Sequence, residues 1–169
     1  QTVSTFKYDG VSCSLEFKEG VLSVAKTRGD GSFGEDIYRK VQWMNSIPKI
    51  IREKRAIEVR GELFCRDERF FELSNAMEKK GLSRPTSLRN IVAGLLGRKE
   101  NLELCQFIDF AFFDCMSLDN NKIFKTEVEK YAWAKLQQLP TAEITFHEQI
   151  KSIDASIEEV RLFMTEGDF

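Results

Sequence analysis

Val11-Ser12-Cys13-Ser14-Leu15-Glu16-Phe17-Lys18-Glu19-Gly20-Val21-Leu22-Ser23-Val24-Ala25-Lys26 is the stretch whose reading decides the fold. Val11, Cys13, Leu15 and Phe17 alternate with polar neighbours, the period-two pattern of a strand with one buried face. Glu19-Gly20 breaks the pattern before a second β-rich run, so the segment reads as a β-hairpin turning at those two residues. Each end of the hairpin carries a motif of another kind. Upstream stands Phe6-Lys7-Tyr8-Asp9-Gly10, and downstream Thr27-Arg28-Gly29-Asp30-Gly31-Ser32-Phe33-Gly34-Glu35-Asp36.

Further along the chain, Ile37, Val41 and Met44 have helical spacing up to Pro48, and a strand is expected from Ala56 to Cys65. Arg66-Asp67-Glu68 opens a helix in which Asp67 can cap and which Gly81 can end. A third helix is expected from about Ser87 to Leu96, a buried strand from Cys105 to Cys115, and an amphipathic helix from Lys125 to Leu139, closed by Pro140. Ala142 to Phe146 reads as a short strand, and Ser156-Ile157-Glu158-Glu159 has the capping-box spacing of a last helix. The alternation of strands and helices describes one α/β or α+β domain.

At 169 residues, with 42% hydrophobic and 31% charged residues, the composition is that of an ordinary globular domain with a real core. No run approaches the roughly 20 apolar residues of a membrane-spanning helix, and no signal peptide is visible. A net charge of −2 excludes a chain that coats nucleic acid by bulk charge, so any DNA contact needs a local basic patch. Cys13, Cys65, Cys105 and Cys115 form no Cys-x-x-Cys pair and accompany a single histidine, His147. They are expected to be reduced, core-filling thiols, and no metal site is expected.

Lys7 is a candidate nucleophilic amine and Asp9-Gly10 a turn that brings backbone close to a ligand. An amine of ordinary lysine basicity is almost wholly protonated at neutral pH, so cationic neighbours or a metal must free its lone pair. Phosphoryl chemistry rests mainly on charge stabilisation and in-line positioning, for which Arg28, Arg60, Arg89 and Arg98 are candidate donors and Mg²⁺ the expected ion. The phenylalanines at 107, 110, 112 and 113 are mostly core, with one or two able to serve as a stacking platform.

Lys7-Tyr8-Asp9-Gly10 resembles the nucleophile motif shared by DNA ligases, RNA ligases and mRNA capping enzymes. The block from Thr27 to Asp36 resembles a signature of NAD-dependent DNA ligases, with Ser46-Ile47-Pro48 at that family's spacing. Glu58-Val59-Arg60-Gly61-Glu62-Leu63-Phe64 resembles the family's third motif, and Leu88-Arg89-Asn90-Ile91-Val92-Ala93-Gly94 its glycine-containing helix. The resemblance implies an α+β nucleotidyltransferase (ATP-grasp-like) fold, with antiparallel sheets flanked by helices. It further implies an enzyme in which Lys7 attacks the adenylyl phosphate of NAD to form lysyl-AMP. The AMP then passes to the 5′-phosphate of a nick in double-stranded DNA, which the 3′-hydroxyl seals in replication or repair. Asp9 would hold the amine or the ribose beside Gly10, Arg28 would contact ribose or phosphate, and Glu62 would meet the ribose hydroxyls. Arg89 would steady phosphate, and Phe113, or Phe112 in the other register, would stack on adenine.

The pattern also departs from the family. Thr5 stands where a base-reading glutamate is usual, and Arg98 lies one place late. The expectation is therefore of a partial adenylation domain over residues 1–169, without the nicotinamide-mononucleotide-binding module, the Asp-Gly-x-Val-x-Lys motif or the oligonucleotide-binding fold. The missing parts would come from a longer chain or a second polypeptide, in the cytoplasm of a bacterium or in a phage or viral factory. Other readings are an ATP-dependent polynucleotide ligase or capping-type transferase, and a non-catalytic subunit of a split ligase.

Overall fold

A computed structural model describes residues 2–29, 34–119, 121–147 and 157–158. The chain divides into two compact units, one from Tyr8 to Thr141 and the other drawn from residues 1–7 and 142–169. Together they make an α+β fold with antiparallel sheets and a few helices.

The larger unit is built on the predicted hairpin. Strands β2 (Val11–Lys18) and β3 (Val21–Thr27) are joined by Glu19 and Gly20, both at positive φ, the conformation that matches a tight turn to strand twist. Strand β4 (Ile57–Phe64) pairs antiparallel with β2, and β5 (Asp109–Ser117) with β4, giving the order β3-β2-β4-β5. Leu15, Phe17, Val59, Leu63, Phe110 and Phe112 are buried on one face of this sheet. Helix α3 (Leu88–Leu96) packs on β2 and β4, and α4 (Glu127–Leu136) on β5. The other face carries Ser12, Ser14 and Glu16 of β2 beside Glu58, Arg60 and Glu62 of β4.

Local chemistry explains the helix starts. The Ser87 hydroxyl accepts from the Asn90 amide and the Thr126 hydroxyl from the Glu129 amide, each satisfying a donor in the first turn. Helix α2 (Asp67–Lys79) departs from expectation, because Arg66 occupies the cap position without a side-chain cap bond and Asp67 lies inside the first turn. There its carboxylate favours the positive end of the helix dipole instead. Gly81 follows the helix end at positive φ, as expected. The short helix α1 (Tyr38–Val41) covers only part of the helical spacing before Pro48.

The expected strand from Cys105 is shorter at its start. Leu102–Phe107 form a 3₁₀ turn entered through left-handed Asn101, and the strand begins at Asp109. Helix α4 is likewise narrower than Lys125–Leu139. Beyond it the Gln137 carboxamide accepts from the amides of Arg52 and Glu53, both at 2.9 Å, tying the loop before β4 to the end of α4. All four cysteines are free and buried.

In the smaller unit β1 (Thr2–Thr5) pairs antiparallel with β6 (Ile144–His147), linking segments about 140 residues apart. Strand β6 matches the expected strand near Ala142–Phe146, while β1 has no counterpart among the expected elements. Of the last expected helix, Ile157 and Glu158 are helical and the remainder lies outside the described residues. Among the described residues no helix is long and apolar enough to cross a membrane.

Candidate functional site

A cleft of about 370 Å³ opens on the polar face of the β3-β2-β4-β5 sheet, lined by Ser12, Ser14, Lys26, Arg28, Arg60 and Phe113 among others. Every one of these side chains comes from a strand or from the end of one. Arg28 follows β3, and its amide donates to the Ser12 carbonyl at 2.8 Å. Beside it the Thr27 amide donates to the Glu35 carbonyl at 2.9 Å and the Glu35 amide to Thr27 Oγ1 at 3.0 Å. The two ends of the glycine-rich loop are thereby held together. Asp30, Gly31, Ser32 and Phe33 of that loop lie outside the described residues.

Strand β4 supplies the acids and one base. Glu62 sits opposite Ser12 in the ladder and accepts from its hydroxyl at 2.7 Å and from the Gly10 amide at 3.2 Å. Glu58 accepts from Ser14 Oγ at 2.6 Å and from Arg60 Nε at 3.1 Å. Burial works against the Glu58 carboxylate, but the hydrogen bonds from Arg60 and Ser14 and the charges of Arg60 and Lys26 outweigh it and hold the acid below its ordinary range. Lys26 in turn pairs with Glu16 at 3.0 Å. Two of the cleft's cations, Lys26 and Arg60, are thus each held in place by a carboxylate.

Phe113 reaches the cleft because β5 is irregular. Arg60 is opposite Asp114 and Gly61 opposite Phe112, so Phe113 is the extra residue of a bulge. A bulge resets the alternation of a strand. Phe112 can therefore face the core at 1% exposure while Phe113, the next residue, lines the cleft at 38%. Phe112 packs edge-on against Tyr131, with ring centroids 5.7 Å apart. Of the two residues left open by the sequence, Phe113 is the one that lines the cleft. Phe107 belongs to the 3₁₀ turn, and Phe110 is buried.

The structure thus brings Gly10 and Glu62 into contact and sets Arg28 and Phe113 around one cleft. Asp9 is exposed at the entry to β2. Lys7 is an exposed residue of the smaller unit. Arg89 lies in the first turn of α3, with its side chain outside the described residues, as are those of Phe146 and His147. The sequence reading missed Ser12, Ser14, Lys26 and Glu58. Ser12 and Ser14 occupy the polar phase of the same alternation that revealed β2, and that phase was the available signal. Cys13 also borders the cleft, but burial, with the neighbouring Glu62 carboxylate, pushes its thiol far up, so it is no nucleophile at neutral pH.

An antiparallel sheet with a few helices, whose polar face carries paired cations, acids engaged by hydroxyl and amide donors and one projecting aromatic ring, is an α+β architecture consistent with a nucleotidyltransferase-type domain. The match to known proteins is specific. The chain belongs to the NAD-dependent DNA ligase adenylation domain family, whose model matches residues 1–167. It is 36% identical over 129 residues to a DNA ligase of Petrotoga mobilis, covering 76% of this chain and 19% of that protein. To a DNA ligase of Mycoplasma genitalium it is 44% identical over 98 residues, which is 58% of this chain and 14% of the relative. To one of a Thermoanaerobacter species it is 30% identical over 159 residues, 94% of this chain and 24% of the relative. The chain therefore spans about a quarter or less of the length of these relatives.

Proposed function

We propose that this domain carries out adenylyl transfer within a DNA ligase, with NAD as the AMP donor and a nick in double-stranded DNA as the final acceptor. The observation that carries the reading is the cleft itself: Arg28, Lys26 and Arg60 offer charge for phosphate, and Phe113 offers a ring for a base, in a chain of this family. Lys7 is the nucleophile in this reading. Covalent connectivity alone keeps it within about 11 Å of Gly10, whose amide is bonded to Glu62.

Each residue has a distinct task. The Lys7 amine, once it has lost its proton, attacks the adenylyl phosphorus; a P–N bond forms and the nicotinamide mononucleotide phosphate leaves with the electron pair of the P–O bond. Arg28 and Lys26 counter the charge on the non-bridging oxygens, where guanidinium and ammonium donors give short, charge-assisted hydrogen bonds. Glu62 accepts from a ribose hydroxyl while its bonds to Ser12 and Gly10 hold it in place. Phe113 covers one face of adenine. Asp9 orients the amine or ribose, and Arg89 steadies phosphate.

Mg²⁺ belongs to the same proposal. Among the described residues no three His, Cys, Asp or Glu side chains gather to hold a metal. Mg²⁺ commonly needs no such cluster, being carried by substrate phosphates and water with at most one or two carboxylates. Bound there, it would supply further charge neutralisation at phosphate.

The test is intact mass spectrometry and peptide mapping of the polypeptide carrying this sequence, after separate incubation with NAD and with ATP in the presence of Mg²⁺. One AMP on Lys7, from NAD only and absent in Lys7→Ala, is the expected result. Label on another residue, or undiminished label in Lys7→Ala, overturns the assignment of the nucleophile. Reaction with ATP alone overturns the donor.

A further inference from the structure

The residue that follows Lys7 is held by a device the adenylyl-transfer chemistry does not use directly. The Tyr8 ring lies on the Phe64 ring with centroids 4.0 Å apart and planes 12° from parallel. Two residues later the backbone is pinned again. A Cβ on Gly10 would stand 2.0 Å from the Leu63 carbonyl oxygen, so only glycine lets the chain lie this close to β4, and the Gly10 amide is bonded to Glu62. Residues 8 and 10 are thus fastened to three successive residues of one strand, Glu62, Leu63 and Phe64.

Phe64 is itself braced. It faces Asp109 in the β4–β5 ladder. Arg66 Nε lies 3.2 Å from Asp109 Oδ2, and Arg69 Nη1 lies 3.1 Å from Asp109 Oδ1, while the Arg66 guanidinium sits 6.0 Å from the centre of the Phe64 ring. Two arginines thus converge on the largely buried Asp109 side chain, and one of them, Arg66, also lies against the ring that Tyr8 covers. The brace joins the end of β4, the start of α2 and the start of β5.

The geometry points to Tyr8 as a positioning residue for Lys7. It rests on Lys7 being the nucleophile, as proposed above. Lysine reaches its target through a long flexible side chain, and an in-line attack needs the amine within about 3–3.5 Å of phosphorus along one direction. The side chain alone has too many rotamers to define that approach. A rigid aromatic anchor on the adjoining residue narrows the backbone share of the freedom, because Tyr8 is one peptide bond away from Lys7. The stack sets the point from which the amine is presented, and the Arg66–Asp109–Arg69 brace sets the stack.

Single-turnover formation of lysyl-AMP, at saturating NAD and across a range of NAD concentrations, separates positioning from folding and from binding. In Tyr8→Ala the rate constant is expected to fall about 10- to 100-fold, the scale of a displacement near 1 Å. The concentration giving half-maximal rate and the final yield of one AMP per chain should stay unchanged. Tyr8→Phe keeps the stacking ring and should restore the rate. Phe64→Ala should repeat the loss, and the Tyr8→Ala, Phe64→Ala double variant should be no slower than either single one. An unchanged rate in Tyr8→Ala overturns the inference, as does a fall in final yield that tracks loss of folded protein by circular dichroism. Failure of the wild-type chain to label at Lys7 would instead strike the adenylyl-transfer reading, so the two failures are distinguishable.

Discussion

Gly61 is the residue on which the sheet, the bulge and the cleft depend together, and replacing it with alanine is the sharpest test of the packing described above. A Cβ at this position would lie 2.1 Å from Phe110 Cε2, 2.4 Å from Phe110 Cζ and 2.5 Å from the Ala111 carbonyl oxygen. Phe110 is almost wholly buried and Ala111 belongs to the neighbouring strand, so neither can yield without moving β5. Overpacking of this kind costs about 1–3 kcal/mol. For a chain of this size that corresponds to a fall in thermal midpoint of about 2–12 °C. Because Gly61 pairs with Phe112 at the bulge that aims Phe113, the same change should also weaken NAD-dependent labelling of Lys7 beyond the fraction unfolded. Thermal unfolding followed by circular dichroism supplies the first number, and labelling corrected for folded fraction the second. Phe110→Leu in the Gly61→Ala background should recover part of the loss, with a coupling of at least about 0.5 kcal/mol between the two sites. A midpoint within 1 °C of wild type, by order-of-magnitude reckoning, would mean that the contact is not as described and would remove the argument that Gly61 is required by close packing.

Phe112→Ala and Phe113→Ala should part company although the residues are adjacent. The first empties a buried, ring-packed position and should cost about 3–5 kcal/mol, read as a large drop in denaturation midpoint. The second should leave that midpoint nearly unchanged and raise the NAD concentration for half-maximal labelling; equal stability losses would refute the bulge register. Glu53 gives a pH-dependent prediction. Hydrogen bonds from Arg55, against the opposing effect of burial and with help from Trp133, hold its carboxyl at about 2, down from the ordinary glutamate value of 4.5. A folded-state pKa below the unfolded one adds stability that is fully present above about pH 4.5 and lost as pH falls toward 2. Urea unfolding of Glu53→Gln should therefore show a flatter acid limb across that window than the wild type, and parallel limbs would refute the assignment.

The parts of the fold that could be read from sequence are those that local chemistry decides. Alternation along Val11–Phe17, turn chemistry at Glu19-Gly20 and the start of α3 near Ser87 are each settled within a few residues, and each matches the structure. Long-range pairing was out of reach. Strands β1 and β6 are four residues each, from opposite ends of the chain, and their partnership leaves no local signature. The start of β5 was misjudged because an apolar run cannot distinguish a buried 3₁₀ turn from a strand. The left-handed Asn101 that begins the turn carries no periodicity.

The candidate site divides in the same way. Glu62 and Gly10 stand in motifs 52 residues apart, and the structure joins them through one hydrogen bond. Phe113 needed the bulge, a property of the β4–β5 pair that neither strand reveals alone. The resemblance alone left Phe112 open beside it, because the register of the strand could not be read from the sequence.

The charge pattern of the cleft shows how a chain of net charge −2 can gather cations around one site, as the proposed phosphate contacts require. Lys26 is paired with Glu16, and Arg60 with Glu58, across or along the same polar sheet face. Partly exposed pairs like these add little stability, about 0–1 kcal/mol each. Their value lies in orientation: each carboxylate holds its cation in one place, so a phosphate meets donors already arranged rather than mobile side chains that must be ordered on binding. The same carboxylates keep the surface from becoming a uniformly positive field that would attract any polyanion. In the proposed reading, selectivity for a nucleotide over bare phosphate or DNA backbone would then fall to the uncharged Phe113 ring and to the Glu62 carboxylate that Ser12 and Gly10 hold in place. That division of labour has a consequence for binding. Raising salt should weaken the phosphate contacts while leaving the contribution of the Phe113 ring largely intact.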